Sequence, residues 1–149
     1  MTKIKLVTYI NAPIEKCFDL SRDVNIHLLS ASKTNEKVIA GKKEGLFELN
    51  DIVTWRAKHF GIYQNLTVQI TQMEFPYFFE DKMLKGAFKS MVHKHYFEIE
   101  NGMTKMTDEF EYEAPFNIIG KLFDKLILKK YMTNFLLIRN KTIKEFAER

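Results

Sequence analysis

Residues 88–113, FKSMVHKHYFEIENGMTKMTDEFEYE, alternate between apolar and polar side chains over most of their length. A period of two is the mark of a β-strand with one buried face. Asn101-Gly102 lies at the centre of the stretch, and Asn-Gly is the strongest short signal for a two-residue hairpin turn. With that pair as the loop, Met91 faces Tyr112, His93 faces Phe110, His95 faces Asp108 and Phe97 faces Met106. Lys94, Glu98, Lys105, Glu109, Glu111 and Glu113 fall on the other face. A slip of one residue would set Phe97 against Lys105, so the pattern specifies its register. The same register puts two histidines and an aspartate on a face that is otherwise apolar.

Outward from this hairpin, the period of two persists back to about residue 46. DIVTWRAKH (51–59) turns at Phe60-Gly61 and returns as IYQNLTVQIT, which pairs Trp55 with Leu66 and Val53 with Val68. After Pro76, Phe79, Asp81 and Met83 share one strand face. Near the N-terminus, residues 3–10 read as a strand, and Ala12-Pro13 opens a helix buried through Ile14, Cys17 and Phe18. Residues 22–35 hold a second short helix and a loop, residues 36–40 a short strand, and residues 41–45 a turn. Beyond Pro115 the period becomes helical. Leu128, Met132, Phe135, Arg139, Ile143 and Phe146 form one stripe, and Ile119, Leu122, Phe123 and Leu126 form another, rotated from it. The rotation predicts a kink or a separate covering segment before the long helix. The expected architecture is a single α+β domain over residues 1–149. In it a curved antiparallel sheet of six or seven strands wraps the long C-terminal helix, with short helices after the first strand.

The totals agree with one soluble core. The chain has 149 residues, 46% apolar and 28% charged, and its 13 phenylalanines imply an aromatic core or an aromatic-lined space. The single cysteine, Cys17, excludes an intrachain disulfide or thiolate cluster and suits a reducing cytoplasm. No apolar run reaches the roughly 20 residues of a membrane span, and the N-terminus lacks the apolar region of a signal peptide. The net charge of +4 is concentrated after residue 120, where it fits the solvated back of an amphipathic helix or an anionic partner. The acidic outer face of the last hairpin and the lack of a recognition motif argue against nucleic acid. Nothing in the pattern calls for a cofactor, and a homodimer is left open.

The element order, the INAPIEKCFDL opening, the WRAKHFG hairpin, the F-x-D-x-M-x-x-G-x-F run at 79–88 and the H-x-H-x-F…M-T-D…Y hairpin resemble the START-like, or SRPBCC, superfamily, which includes Bet v 1-like proteins. The nearest group is its small stand-alone bacterial members, labelled polyketide cyclase- or dehydrase-like. The likeness runs over nearly the whole chain. It implies a cavity between sheet and helix that holds a lipid, sterol, polyketide, quinone or plant hormone. A minority of the superfamily are enzymes, and some members act on protein partners.

On this reading the chain is a carrier or sensor of a small hydrophobic ligand with a polar head. The alternatives are a cyclase- or dehydratase-type enzyme and a protein-interaction module. The expected ligand-binding residues are Trp55, Leu66, Phe79, Asp81, Met91, His93, His95, Phe97, Met106, Asp108, Phe110, Tyr112, Phe135 and Arg139. Trp55 and Tyr112 face inward, where large aromatics are ordinarily core residues. His95 and Asp108 are expected to touch, as a buried structural pair, a head-group anchor or an acid–base dyad. His93, His95 and Asp108 form an alternative metal trio. Arg139, in mid-stripe, either reaches Asp81 or Asp108, receives an acidic ligand group, or snorkels past the sheet edge.

Overall fold

The computed structural model describes residues 1–149. Seven strands form one antiparallel sheet: β1 (Thr2–Ile10), β2 (Lys37–Gly41), β3 (Ile52–His59), β4 (Ile62–Glu74), β5 (Phe78–Lys85), β6 (Ser90–Glu100) and β7 (Met103–Glu113). Their order across the sheet is β1-β7-β6-β5-β4-β3-β2. Between β1 and β2 lie α1 (Ile14–Ser21) and α2 (Val24–Ser30), the latter capped by the Asp23 carboxylate, which accepts from the Asn25 and Ile26 amides. After β7 come α3 (Asn117–Phe123), a π-helical turn (Asp124–Leu128) and α4 (Lys129–Ala147). The sheet is curved and grips the C-terminal helix.

Both tight hairpins fold as their turn residues dictate. Asn101 and Gly102 have φ of 52° and 76°, and Phe60 and Gly61 have 54° and 76°. Positive φ at both central positions is the turn whose twist matches the flanking strands. The β6–β7 register is the one read from the sequence, with His95 opposite Asp108, and β3–β4 pairs Trp55 with Leu66. The β4–β5 ladder shifts register twice, between Thr67 and Val68 and between Ile70 and Gln72. Such bulges bend a strand and strengthen its twist, which curves the sheet around the helix.

The inner face of the sheet is covered unevenly. At one end α1 inserts Phe18 into an aromatic cluster, with its ring centroid 5.3 Å from that of Phe79 and 5.2 Å from that of Phe97. Fully burying one such ring contributes about 1.5–3 kcal/mol. The helix α4 rests on β1, α1 and α2. It buries Leu136, Arg139, Asn140 and Ile143. It does not close down on the middle strands, and the space left there is the cavity described below.

The rotated apolar stripe at 119–126 is explained by the π turn, which re-aims the helix between α3 and α4. Its Asp124 is buried and accepts hydrogen bonds from the Tyr112 and Thr2 hydroxyls, so the turn is fastened to β7 and β1. Burial, and then the bond to Asp124, push the Tyr112 phenol pKa upward. α3 itself is folded tightly against the preceding segment at Gly120. A Cβ placed there would lie 1.5 Å from the Pro115 carbonyl oxygen. Gly120→Ala is therefore expected to displace α3 and cost about 1–3 kcal/mol, as overpacking does. Denaturant titration with limited proteolysis of residues 114–124 checks this. Curves and cleavage patterns identical to wild type would show that α3 does not sit against Pro115.

Candidate functional site

Between α4 and strands β3–β6 lies a cavity of about 770 Å³. Of the residues expected to bind ligand, Trp55, Leu66, Phe79, Asp81, Met91, His93, His95, Phe110, Phe135 and Arg139 line it. Phe97, Met106, Asp108 and Tyr112 do not. They share the inner sheet face, but other elements cover them. Phe97 lies under Phe18 of α1. Met106 is reached by the Ser21 hydroxyl at 3.4 Å. Asp108 is covered by Arg139 and Asn140, and Tyr112 by Asp124. Strand alternation gives the face of the sheet. The placement of the helices decides which inner positions stay open.

The deep end of the cavity is polar. Asp108, fully buried, accepts from His93 Nε2 at 2.8 Å, Asn140 Nδ2 at 2.7 Å and Arg139 Nη1 at 3.3 Å. Burial alone would raise its pKa, but the Arg139 charge and the histidine hydrogen bonds outweigh burial and hold the carboxyl well below its usual value. Arg139 does not snorkel. It is buried at 6% exposure, and Nη1 also donates to Asn140 Oδ1 at 2.8 Å. Its Nη2 lies 3.4 Å from the Ser21 carbonyl and 3.3 Å from His95 Nδ1.

The expected His95–Asp108 contact is present, but it is not the shortest for either residue, and the tighter bonds are crossed. The shortest contact of His95 is from Nε2 to Asp81 Oδ2 at 2.8 Å, while Asp108 takes His93. His95 Nδ1 lies 3.3 Å from Asp108, at the margin of the same cluster. The reason is the sheet order: β5 flanks β6 on the side away from β7, and it sets Asp81 directly opposite His93. Asp81 is thus as near to the histidines as Asp108 is. Burial would raise the Asp81 pKa, but the bond from His95 and the charges around it lower it on balance, so the carboxylate is ionised at neutral pH. Burial, followed by the neighbouring His95 charge, lowers the His93 pKa to about 4, so His93 is neutral there.

The trio within metal-ligating reach is likewise Asp81, His93 and His95, whose ligand atoms lie within 4.8 Å of one another, and Asp108 is not part of it. Two histidines and a carboxylate are a donor set that a divalent transition metal accepts. Each already bonds to a protein group, and the Arg139 guanidinium beside His95 opposes a second cation.

Sequence patterning missed a second polar group. His27 stacks on Trp55 with centroids 4.0 Å apart, and its Nε2 bonds Glu36 Oε2 at 3.1 Å. His59 Nδ1 lies 2.5 Å from the Tyr131 hydroxyl. All four line the cavity. Burial lowers the His59 pKa and raises that of Tyr131. His59 was legible, since it continues the Val53, Trp55, Ala57 alternation, and Tyr131 precedes Phe135 and Arg139 at steps of four. His27 and Glu36 come from a stretch without period and carried no such signal. Nearby, Phe60 and Ile62 of the β3–β4 hairpin and Phe116, Ile119 and Phe123 around α3 line the cavity while exposed to solvent, and they form its mouth. The rings of Phe60 and Phe123 meet across it at 5.5 Å.

A curved seven-stranded sheet gripping a long C-terminal helix is the helix-grip fold of START-like and Bet v 1-like proteins. Among solved structures, the protein TTHA0849 from Thermus thermophilus is similar with a TM-score of 0.77 and 20% identity, over 97% of this chain and 95% of that one. Ginseng major latex-like protein 151 from Panax ginseng gives 0.71 and 14%, over 99% and 98%. A START superfamily protein from Mycobacterium smegmatis gives 0.71 and 11%, over 98% and 97%. Identities this low establish the fold alone. The sequence matches no protein-family model and no curated protein. No helix is long and apolar enough to cross a membrane.

Proposed function

We propose that this chain is a non-catalytic carrier or sensor of a small hydrophobic ligand bearing a polar group, held between the sheet and α4. The observation that carries this reading is the cavity. At about 770 Å³ it lies well inside the range of about 300–1,000 Å³ typical of small-molecule sites. Its walls are mainly apolar and aromatic, with one set of polar groups at the deep end and a second, His27, Glu36, His59 and Tyr131, elsewhere on the wall, the usual composition of a site that binds by burial and orients by hydrogen bonds. The likeness of fold to a START superfamily protein supports the same reading.

A protein-interaction module would fill its core and expose an apolar patch on residues 119–126. Ile119, Leu122 and Leu126 are indeed exposed, at 78%, 60% and 65%, but the core is not filled. Catalysis draws less support, because both nitrogens of His95 lie within bonding reach of protein groups and are not turned to a substrate. Cys17 is buried and unpaired, in keeping with a chain that works in the cytoplasm.

Native mass spectrometry of the purified protein, followed by organic extraction, tests the reading. The expected result is a mass excess that disappears on denaturation and a small amphiphile in the extract. A clean apo mass from several expression hosts would overturn it.

A further inference from the structure

The deep end of the cavity holds an arginine, which at first sight marks it as a site for a carboxylate or phosphate. The hydrogen bonds point the other way. Each terminal nitrogen of Arg139 already has two protein partners: Asp108 and Asn140 for Nη1, and the Ser21 carbonyl and His95 for Nη2. The guanidinium has one hydrogen-bond donor, Nε, outside that network.

Beside that one N–H, the atoms this cluster leaves open to the cavity are acceptors. Asp81 is an ionised carboxylate whose Oδ2 takes the proton of His95 and whose Oδ1 has no protein partner. Neutral His93 has one ring proton, and its contact with Asp108, which can only accept, fixes that proton on Nε2. Its Nδ1 is then a lone pair, again without a protein partner. No buried side-chain nitrogen or oxygen in the molecule lacks a partner. These two atoms are therefore reached from the cavity, which both residues line. Glu36 adds a third acceptor on the wall.

We infer that the ligand's polar group is a hydrogen-bond donor, a hydroxyl, phenol or ammonium, and not an anion. A carboxylate head would meet the Asp81 charge and the His93 lone pair, and its desolvation would go largely uncompensated. An ammonium head can donate to both Asp81 Oδ1 and His93 Nδ1, and a hydroxyl or phenol head donates its one proton to either. This inference rests on the carrier reading and narrows its ligand.

The test uses three probes of one chain length, decan-1-ol, decylamine and decanoate, titrated calorimetrically into the intact protein at neutral pH. Decan-1-ol and decylamine are each expected to bind about tenfold or more tighter than decanoate, the order of one charge-assisted hydrogen bond. Asp81→Asn can keep its oxygen on His95 and turn an N–H₂ into the cavity, so it should narrow or reverse the preference. Binding of decanoate at least as tight as the other two overturns the donor inference and leaves the carrier reading standing. Failure of all three to bind counts against both. The wild-type comparison decides the matter even if Asp81→Asn does not fold.

Discussion

Replacing Asp108 with alanine is expected to cost about 3–5 kcal/mol of folding stability, the cost of stranding the partner of a buried ion pair. The carboxylate is inaccessible to solvent and has three donors, and one of them, Arg139, cannot discard its charge. Glu111 provides the contrast on the same strand. It lies on the outer face, in an exposed pair with Lys3 at 3.1 Å, and Glu111→Ala should change stability by no more than about 0.5 kcal/mol. Combining Asp108→Leu with Arg139→Met should recover part of the loss, because it removes the unpaired cation along with its partner. Urea unfolding of all the variants measures this. Equal losses for Asp108→Ala and Glu111→Ala would mean that the cluster does not hold the fold.

Acid should unfold the protein from an unusually high pH. His93 protonates near 6.5 when unfolded and at about 4 when folded. Its folded pKa is depressed, so between those values the unfolded chain binds more protons. The contribution of His93 is complete above about pH 6.5 and drains away as pH falls toward 4. Each tenfold change in proton affinity is worth about 1.4 kcal/mol, so the whole interval removes roughly 3 kcal/mol. Asp81 and Asp108 are also depressed and withdraw their contributions further down, in the same direction. His93→Gln keeps an N–H for Asp108 and does not titrate, so its stability should be flatter over pH 6.5–4. Wild-type stability unchanged between pH 7 and 4.5 would refute the assignment.

How much of this was legible depended on the kind of constraint. The β6–β7 register was readable because Asn101-Gly102 accepts one turn geometry and a slip would bury Lys105. The inward placement of His93, His95 and Asp108 followed from it. The choice of partners did not, because the two histidine rings lie side by side with centroids only 3.8 Å apart and face carboxylates from strands on both sides. The position of β5 relative to β6 is set by residues 86–89, a connection with no tight-turn signature, so Asp81 could not be placed opposite His93 in advance. Phe97 and Met106 have the alternation of lining residues, and only the seating of α1 shows them to be covered.

The pairing of the first strand with the last sets the order of events in folding. The β3–β4 and β6–β7 hairpins close over two-residue turns and can form as soon as each is synthesised. β1 has no lasting neighbour until β7 emerges, when Thr2 finds Tyr112 and Ile10 finds Thr104. Closing so long a loop makes for slow, non-local folding. α4 depends on the same event, since it rests on β1, with Asn140 bonded to Thr8 and Lys144 to the Tyr9 carbonyl. Until β1 docks, the cavity has no roof, so the nascent chain becomes competent to hold a ligand in the same step that completes its fold.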